Sequence, residues 1–306
     1  MSILSRKEFH DEQAAYDYVE ARVWPHGATC PKCGERERVS KMGGKSTRIG
    51  AYKCYKCRKP FTVKVSTIFE SSHVPMHIWL QAIYLMCASK KGISSNQLHR
   101  TLGMTLKTAW FMSHRIREAM RSDNGPFGVG GGSVEIDETF IGKEPGVIKS
   151  KTARGGAHKM KVMTLVDRDT KSAKSVVIDD LKKDTMAKVV AENMAREARM
   201  ITDEYRQYKL MAKDVTAEHD FVRHADGEYG RGDVHTNTVE GFYSIFKRGM
   251  RGIYQHCGKQ HLHRKAAEFD FRYNHRVAKE VSDAMRADIA LAGIVGKRLT
   301  YETIGA

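Results

Sequence analysis

Val134-Glu-Ile-Asp137-Glu-Thr-Phe-Ile141 is the stretch on which the fold turns. Its apolar and β-branched residues predict a strand. Strand alternation puts Glu135, Asp137 and Thr139 on one face and Val134, Ile136 and Glu138 on the other. A carboxylate in the middle of such a strand is costly to bury unless it is paired or holds a metal. Asp137 therefore marks a candidate site as well as a strand.

Reading downstream, residues 159–167 and 173–179 predict two more strands joined by a tight Arg-Asp-Thr-Lys turn. A helix over 181–198, a short strand over 199–202, a helix over 204–212, a fifth strand over 219–224 and a helix over 236–250 follow. Hairpin-linked strands followed by αβαβα predict an α/β domain with a mixed sheet. The intervening loop 142–159 is basic, with Lys143, Lys149, Lys151, Arg154 and Lys159.

Two further acids fall where such a domain places ligands. In Arg199-Met-Ile-Thr-Asp203-Glu-Tyr, Asp203 lies at the carboxyl end of a short strand, the edge at which open α/β sheets bind. In His235-Thr-Asn237-Thr-Val-Glu240-Gly-Phe-Tyr-Ser244-Ile-Phe-Lys247-Arg248, helical spacing puts Asn237, Glu240, Ser244 and Lys247 on one face. Carboxylates from two strands and a later helix are what a two-metal phosphoryl-transfer site requires, one shared between two hard cations and one outer ligand for each.

Upstream, the Gly-rich residues 123–133 predict a linker. Before it, 75–122 is strongly helical. The segment Ile93-Ser-Ser-Asn-Gln-Leu98-His-Arg-Thr-Leu102-Gly-Met-Thr-Leu-Lys107-Thr108-Ala-Trp110 has the layout of a helix-turn-helix with Leu98, Leu102, Ala109 and Met112 between its helices. In that reading Lys107 and Thr108 meet base edges, and Arg115 and Arg117 lie near phosphates. Residues 24–66 contain Cys30-Pro-Lys-Cys33 and Cys54-Tyr-Lys-Cys57, a C-x2-C-x20-C-x2-C pattern. Each pair supplies two thiolates from one knuckle, so the four predict one structural zinc with no open position. Residues 1–23 carry an N-terminal helix.

The 306 residues hold 52 Lys and Arg against 36 Asp and Glu, a net charge of +16. Residues 1–122 hold 21 basic and 9 acidic residues, net +12, which leaves +4 for the rest. A basic front half suggests a polyanion-binding module. Six cysteines are too few for a disulfide scaffold, no apolar run is long enough for a membrane span, and the charged N-terminus argues against a secretory signal. The expectation is a cytoplasmic, nucleoid-associated protein.

These motifs together resemble the bacterial insertion-sequence DDE transposases of the ISXO type. The matching stretches are the two cysteine knuckles, Val-Glu-Ile-Asp-Glu-Thr-Phe-Ile-Gly, Thr-Asp-Glu-Tyr-Arg-Gln-Tyr, the run from His235 to Gly249, and Ala-Glu-Phe-Asp-Phe-Arg-Tyr-Asn-His-Arg at 267–276. The resemblance covers about residues 15–277. It implies an RNase H-like catalytic domain over 134–277, preceded by a zinc ribbon (24–66) and a helix-turn-helix domain (75–122), with 278–306 outside any motif. It implies Asp137, Asp203 and Glu240 as catalytic acids holding two Mg²⁺ ions, which Mn²⁺ can replace, and Lys247 as a contact to DNA. Arg248 and Asn237 are carried with Lys247 as DNA-binding candidates. The implied partners are the double-stranded terminal inverted repeats and a target DNA, bound by a homodimer or larger assembly. A structure-selective nuclease without strand transfer and a non-catalytic DNA-binding regulator are the alternatives.

Overall fold

The computed structural model describes residues 2–122, 125–148 and 156–300, and the chain divides into two compact units. One comprises residues 1–121 and 277–306, the other residues 122–276.

The first unit opens with α1 (Glu12–Val23), whose N-terminus is capped by Asp11 accepting from the Ala14 amide. Three short strands, β1 (Val39–Lys41), β2 (Tyr52–Cys54) and β3 (Pro60–Phe61), form an antiparallel sheet in sequence order. Trp24, Tyr52 and Phe61 pack together beside Cys30 and Cys54. Such a small core leaves most of the work of holding the loops to the cysteines. Then come α2 (Met76–Ala88), α3 (Ser95–Leu102) and α4 (Leu106–Met120). Ser94 and Thr105 cap the last two through the Gln97 and Thr108 amides. Leu98, Ala109 and Met112 are buried, as expected of the residues between two packed helices.

The second unit is built on a five-stranded mixed sheet. Strands β4 (Ser133–Ile141), β5 (Met160–Asp167) and β6 (Ser172–Ile178) run antiparallel. After α5 (Lys183–Asn193), β7 (Arg199–Thr202) pairs parallel to β4, and after α6 (Arg206–Val215), β8 (Glu218–Phe221) pairs parallel to β7. The spatial order is β6-β5-β4-β7-β8, the RNase H-like arrangement. Helices α7 (Asn237–Gly249) and α8 (Lys259–Asn274) complete it.

Alternation along the strands divides the core in two. Val134, Ile136, Met163 and Leu165 pack against α5 and α6, while Val162 and Val166 pack against α7 and α8. Because Val134 and Ile136 face α5 and α6, Glu135, Asp137 and Thr139 face the α7 side.

Two segments differ from the sequence reading. The Gly-rich stretch read as a linker is built into the second unit from Phe127 onward. Phe127 donates its amide to the Asn193 carbonyl and accepts from the Ala195 amide, and the Gly128 amide donates to Asp167. Gly128 has φ +70° and lies so close to Ala198 and Val134 that a Cβ would collide with both. Composition identified flexible residues, but here glycine serves close approach. At the other end, the last helix α9 (Asp283–Ala292) packs on α2, α1 and α4 of the first unit. Arg286 donates to the Cys87 carbonyl, and Leu291 and Ile294 are buried. Part of the basic loop, residues 149–155, lies outside the described residues.

Candidate active site and zinc centre

In the ribbon, Cys30 Sγ and Cys57 Sγ stand 3.7 Å apart and Cys33 Sγ and Cys54 Sγ 3.6 Å apart. All four sulfurs lie within 4.8 Å of one another. Four thiolates at ~2.3 Å from one zinc would stand ~3.8 Å apart at tetrahedral corners, so this cluster fits a structural zinc ion. Both knuckles end on a residue of positive φ, Gly34 at +72° and Arg58 at +60°. The Gly34 amide closes its turn by donating to the Cys30 carbonyl.

The three acids singled out in the sequence come together in the second unit. The parallel register pairs Glu135 of β4 with Ile201 of β7. Two residues further along, that register brings Asp137 level with Asp203, just past the end of β7. Helix α7 crosses the same face, and its first turn presents Glu240. Asp137, Asp203 and Glu240 line one cavity of about 430 Å³ together with His224, Thr236, Tyr243, Ser244 and Lys247.

The electrostatics of this cavity are unbalanced. Burial, then the carboxylates of Glu138, Asp203 and Glu240, push Asp137 up to about 8. Its hydrogen bond from the Glu138 amide, at 2.8 Å, opposes that shift only in part. Burial also raises Asp203, with Glu204 and Glu240 adding to it and the Tyr205 amide and His224 working against it. Glu240 accepts from the Thr236 hydroxyl at 2.9 Å and stands 3.7 Å from His224 Nε2. Tyr243, wholly buried, donates its hydroxyl to the Asp137 carbonyl at 2.6 Å and so ties α7 to β4.

A donor set made only of carboxylate oxygens and short of positive charge suits hard divalent cations. Among the described residues, the cysteines alone form a group of three or more potential ligands with atoms within 4.8 Å of one another. The three acids line a common cavity without forming so tight a group.

The neighbouring acid Glu135 has a different role. It is fully buried and accepts from Arg168 Nε at 2.6 Å, the Thr238 hydroxyl at 2.7 Å, and the Thr238 and Val239 amides at 2.9 and 3.0 Å. Thr236, bonded to Glu240, provides no cap for α7. Glu135 supplies that cap from the sheet. His235 belongs to this network, 3.3 Å from Glu135 and bonded to Arg168.

The remaining candidates divide. Lys247 lines the acidic cavity, its ammonium 5.6 Å from the centre of the Tyr243 ring. Arg248 is exposed and folded back onto Ser244, and Asn237 is exposed at the start of α7, away from the cavity lining. Lys107 is exposed at the start of α4, and the Thr108 hydroxyl bonds Thr105 within the cap. Arg115 departs from expectation. It is only 6% exposed and donates to the Ile68 and Glu70 carbonyls, each at 2.8 Å, so it braces the first unit instead of reaching phosphate. Arg117 is likewise buried. His224 and Thr236 were missed because neither sits in a spacing pattern; only folding places them beside Glu240.

Residues 130–274 match the ISXO2-like transposase domain, and residues 10–60 match the transposase zinc-ribbon domain. A protein of Halobacterium salinarum described as "Uncharacterized protein in transposable element ISH50" is 28% identical over 263 residues, spanning 81% of this chain and 87% of that protein. Among solved structures, a chain from the simian T-cell lymphotropic virus intasome in complex with the PP2A regulatory subunit B56 gamma aligns at 10% identity and a TM-score of 0.29. That alignment covers 57% of this chain and 63% of the other. The chain thus carries a transposase zinc-ribbon domain at its front and an ISXO2-like transposase domain behind it.

Proposed function

We propose that this protein binds double-stranded DNA at the ends of an insertion sequence and catalyses its cleavage and strand transfer, using Asp137, Asp203 and Glu240 as ligands for two Mg²⁺ ions. The observation that carries the proposal is the shared cavity: two strands and a helix bring three carboxylates and Lys247 to one opening. When bound, the ions would supply charge compensation at the phosphate and lower the proton affinity of the attacking oxygen. Asp137 feels both other acids and is the residue to share between the two ions. Thr236 and His224 hold Glu240, and the Tyr205 amide holds Asp203. Lys247 faces the same opening and would hold a strand by its phosphate. End recognition falls to the basic first unit, with Lys107 and Thr108 at the start of α4 nearest the bases.

The test is Mg²⁺-dependent nicking of a labelled duplex carrying the inverted repeat beside the reading frame, with and without target DNA. Glu240→Ala and Glu240→Gln should both abolish nicking while binding persists, because an amide is a poor ligand for a hard cation. Full activity in Glu240→Ala would remove the site assignment. Nicking that never yields joined products would favour a nuclease.

A further inference from the structure

A second cavity, of about 280 Å³, adjoins the acidic one, and Lys247 lines both. It is formed by the end of β4, the start of β5 and the chain after α7. Its polar lining comes from Lys159, Lys247, Arg251 and Gln255, and among the described residues no acid lines it.

The cations here are treated differently from those around them. Lys161 and Lys259 both meet Glu144, at 2.9 and 2.5 Å, and Lys259 also meets Asp179. Arg168 is held by Glu135 and Arg272 by Glu268. Among the described residues, Lys159, Lys247 and Arg251 enter no ion pair. Lys159 and Arg251, with Lys247 shared between this concavity and the acidic one, give it an excess of positive charge that suits an anion.

The backbone points the same way. Helix α7 runs into a π-turn, Met250–Tyr254, that ends in a γ-turn centred on Gln255. Gln255 has φ +49° and ψ −56°, closed by the His256 amide donating to the Tyr254 carbonyl at 2.5 Å. Both features are rare, and positive-φ γ-turns are strained. Such strain persists only where the surrounding structure fixes it. Here it sets the segment that carries Arg251 and Gln255 into the cavity lining. Stacking of a base is disfavoured, because the one aromatic ring in the lining, Phe140, is covered by Gly156 at a distance no Cβ would allow.

We infer that this cavity binds a phosphodiester of the DNA strand that enters the acidic site, one or two nucleotides from the bond being cut. Lys159, Arg251 and Gln255 hold its oxygens, and Lys247 stands between it and the scissile phosphate. The inference rests on the proposed DNA-processing function and adds a path for the strand.

The experiment uses the full chain. Binding of a labelled end duplex without added Mg²⁺, and without chelator so that the zinc ribbon keeps its ion, is followed by fluorescence anisotropy across salt concentration. Lys159→Ala and Arg251→Ala should each reduce the slope of log affinity against log salt by about one. Lys188→Ala, an exposed cation of α5 near Glu192, should leave it unchanged. A series of duplexes, each with one methylphosphonate, then locates the contact. One neutral linkage near the scissile bond should weaken wild-type binding about tenfold and weaken Arg251→Ala no further, while Arg251→Lys should regain part of that sensitivity. Unchanged slopes, or full additivity at every linkage, would overturn the inference. A wild-type protein that shows this interference but never nicks DNA would retain the cavity and lose the catalytic proposal. Nicking without interference would do the reverse.

Discussion

Glu135 and Asp137 lie two residues apart on the same face of β4, and the surrounding protein treats them in opposite ways. Glu135 has a guanidinium, two amides and a hydroxyl arranged around it, so its charge is built into the native structure. Asp137 has one backbone amide and three carboxylates, and it holds its proton up to about pH 8. Burial alone therefore does not separate the two acids. The counter-charge does: Glu135 has one from the protein, and Asp137, without one, is the candidate for an incoming cation.

The largest expected effect is kinetic. Asp137→Ala should lower Mg²⁺-dependent nicking by ~10³-fold or more, while thermal unfolding shows no loss of stability. If Asp137→Ala unfolds the protein, the two acids are alike and the comparison fails. Next, Glu135→Ala should destabilise the second unit by about 3–5 kcal/mol in chemical denaturation, since it deprives the part-buried Arg168 of its carboxylate and uncaps α7. Glu135→Gln should cost less, because an amide oxygen can still accept from the α7 amides. A Glu135→Ala protein of normal stability that has merely lost activity would move Glu135 into the catalytic group.

Cation binding gives the third effect. Mg²⁺ at 100 times its dissociation constant should stabilise the wild type by about 2.7 kcal/mol, or several degrees in Tm at roughly 2–4 °C per kcal/mol. Asp137→Asn should lose most of that gain and Glu135→Gln should keep it. The smallest effect is on pH dependence without metal. An unfolded Asp gives up its proton near pH 4, whereas native Asp137 keeps it to about 8. The native state thus binds the extra proton between those values, so its favourable contribution is complete below pH 4 and is lost as pH rises through 8. Without added Mg²⁺ or chelator, the wild type should weaken by about 1–2 kcal/mol across that window relative to Asp137→Asn, allowing for solvent screening. A flat difference would mean that Asp137 is compensated after all.

What could be read in the sequence follows from how local each signal is. The strand Ser133–Ile141 and its two faces follow from alternation, which needs no distant partner. The zinc knuckles are equally local, each complete within a few residues. The acids were identifiable because strand ends and helix faces are countable. Which of Glu135 and Asp137 is neutralised was not, because Arg168 and Thr238 arrive from 33 and 103 residues away. Arg115 failed for a related reason. An arginine on an amphipathic helix reads as solvent-facing until the carbonyls of Ile68 and Glu70 turn out to meet it. The helix at 283–292 carries no motif, and only its packing reveals its place.

That last helix also sets an order of events during synthesis. The second unit, residues 122–276, is spelled out between the two parts of the first. At ~5–20 residues per second a ribosome needs roughly 8–30 s to make it. Throughout that interval the nascent first unit lacks the helix that closes over α2, with the apolar surface around Leu291 and Ile294 still to come. The unit made first is therefore finished last, and a chain truncated inside the second unit would never possess a complete first one.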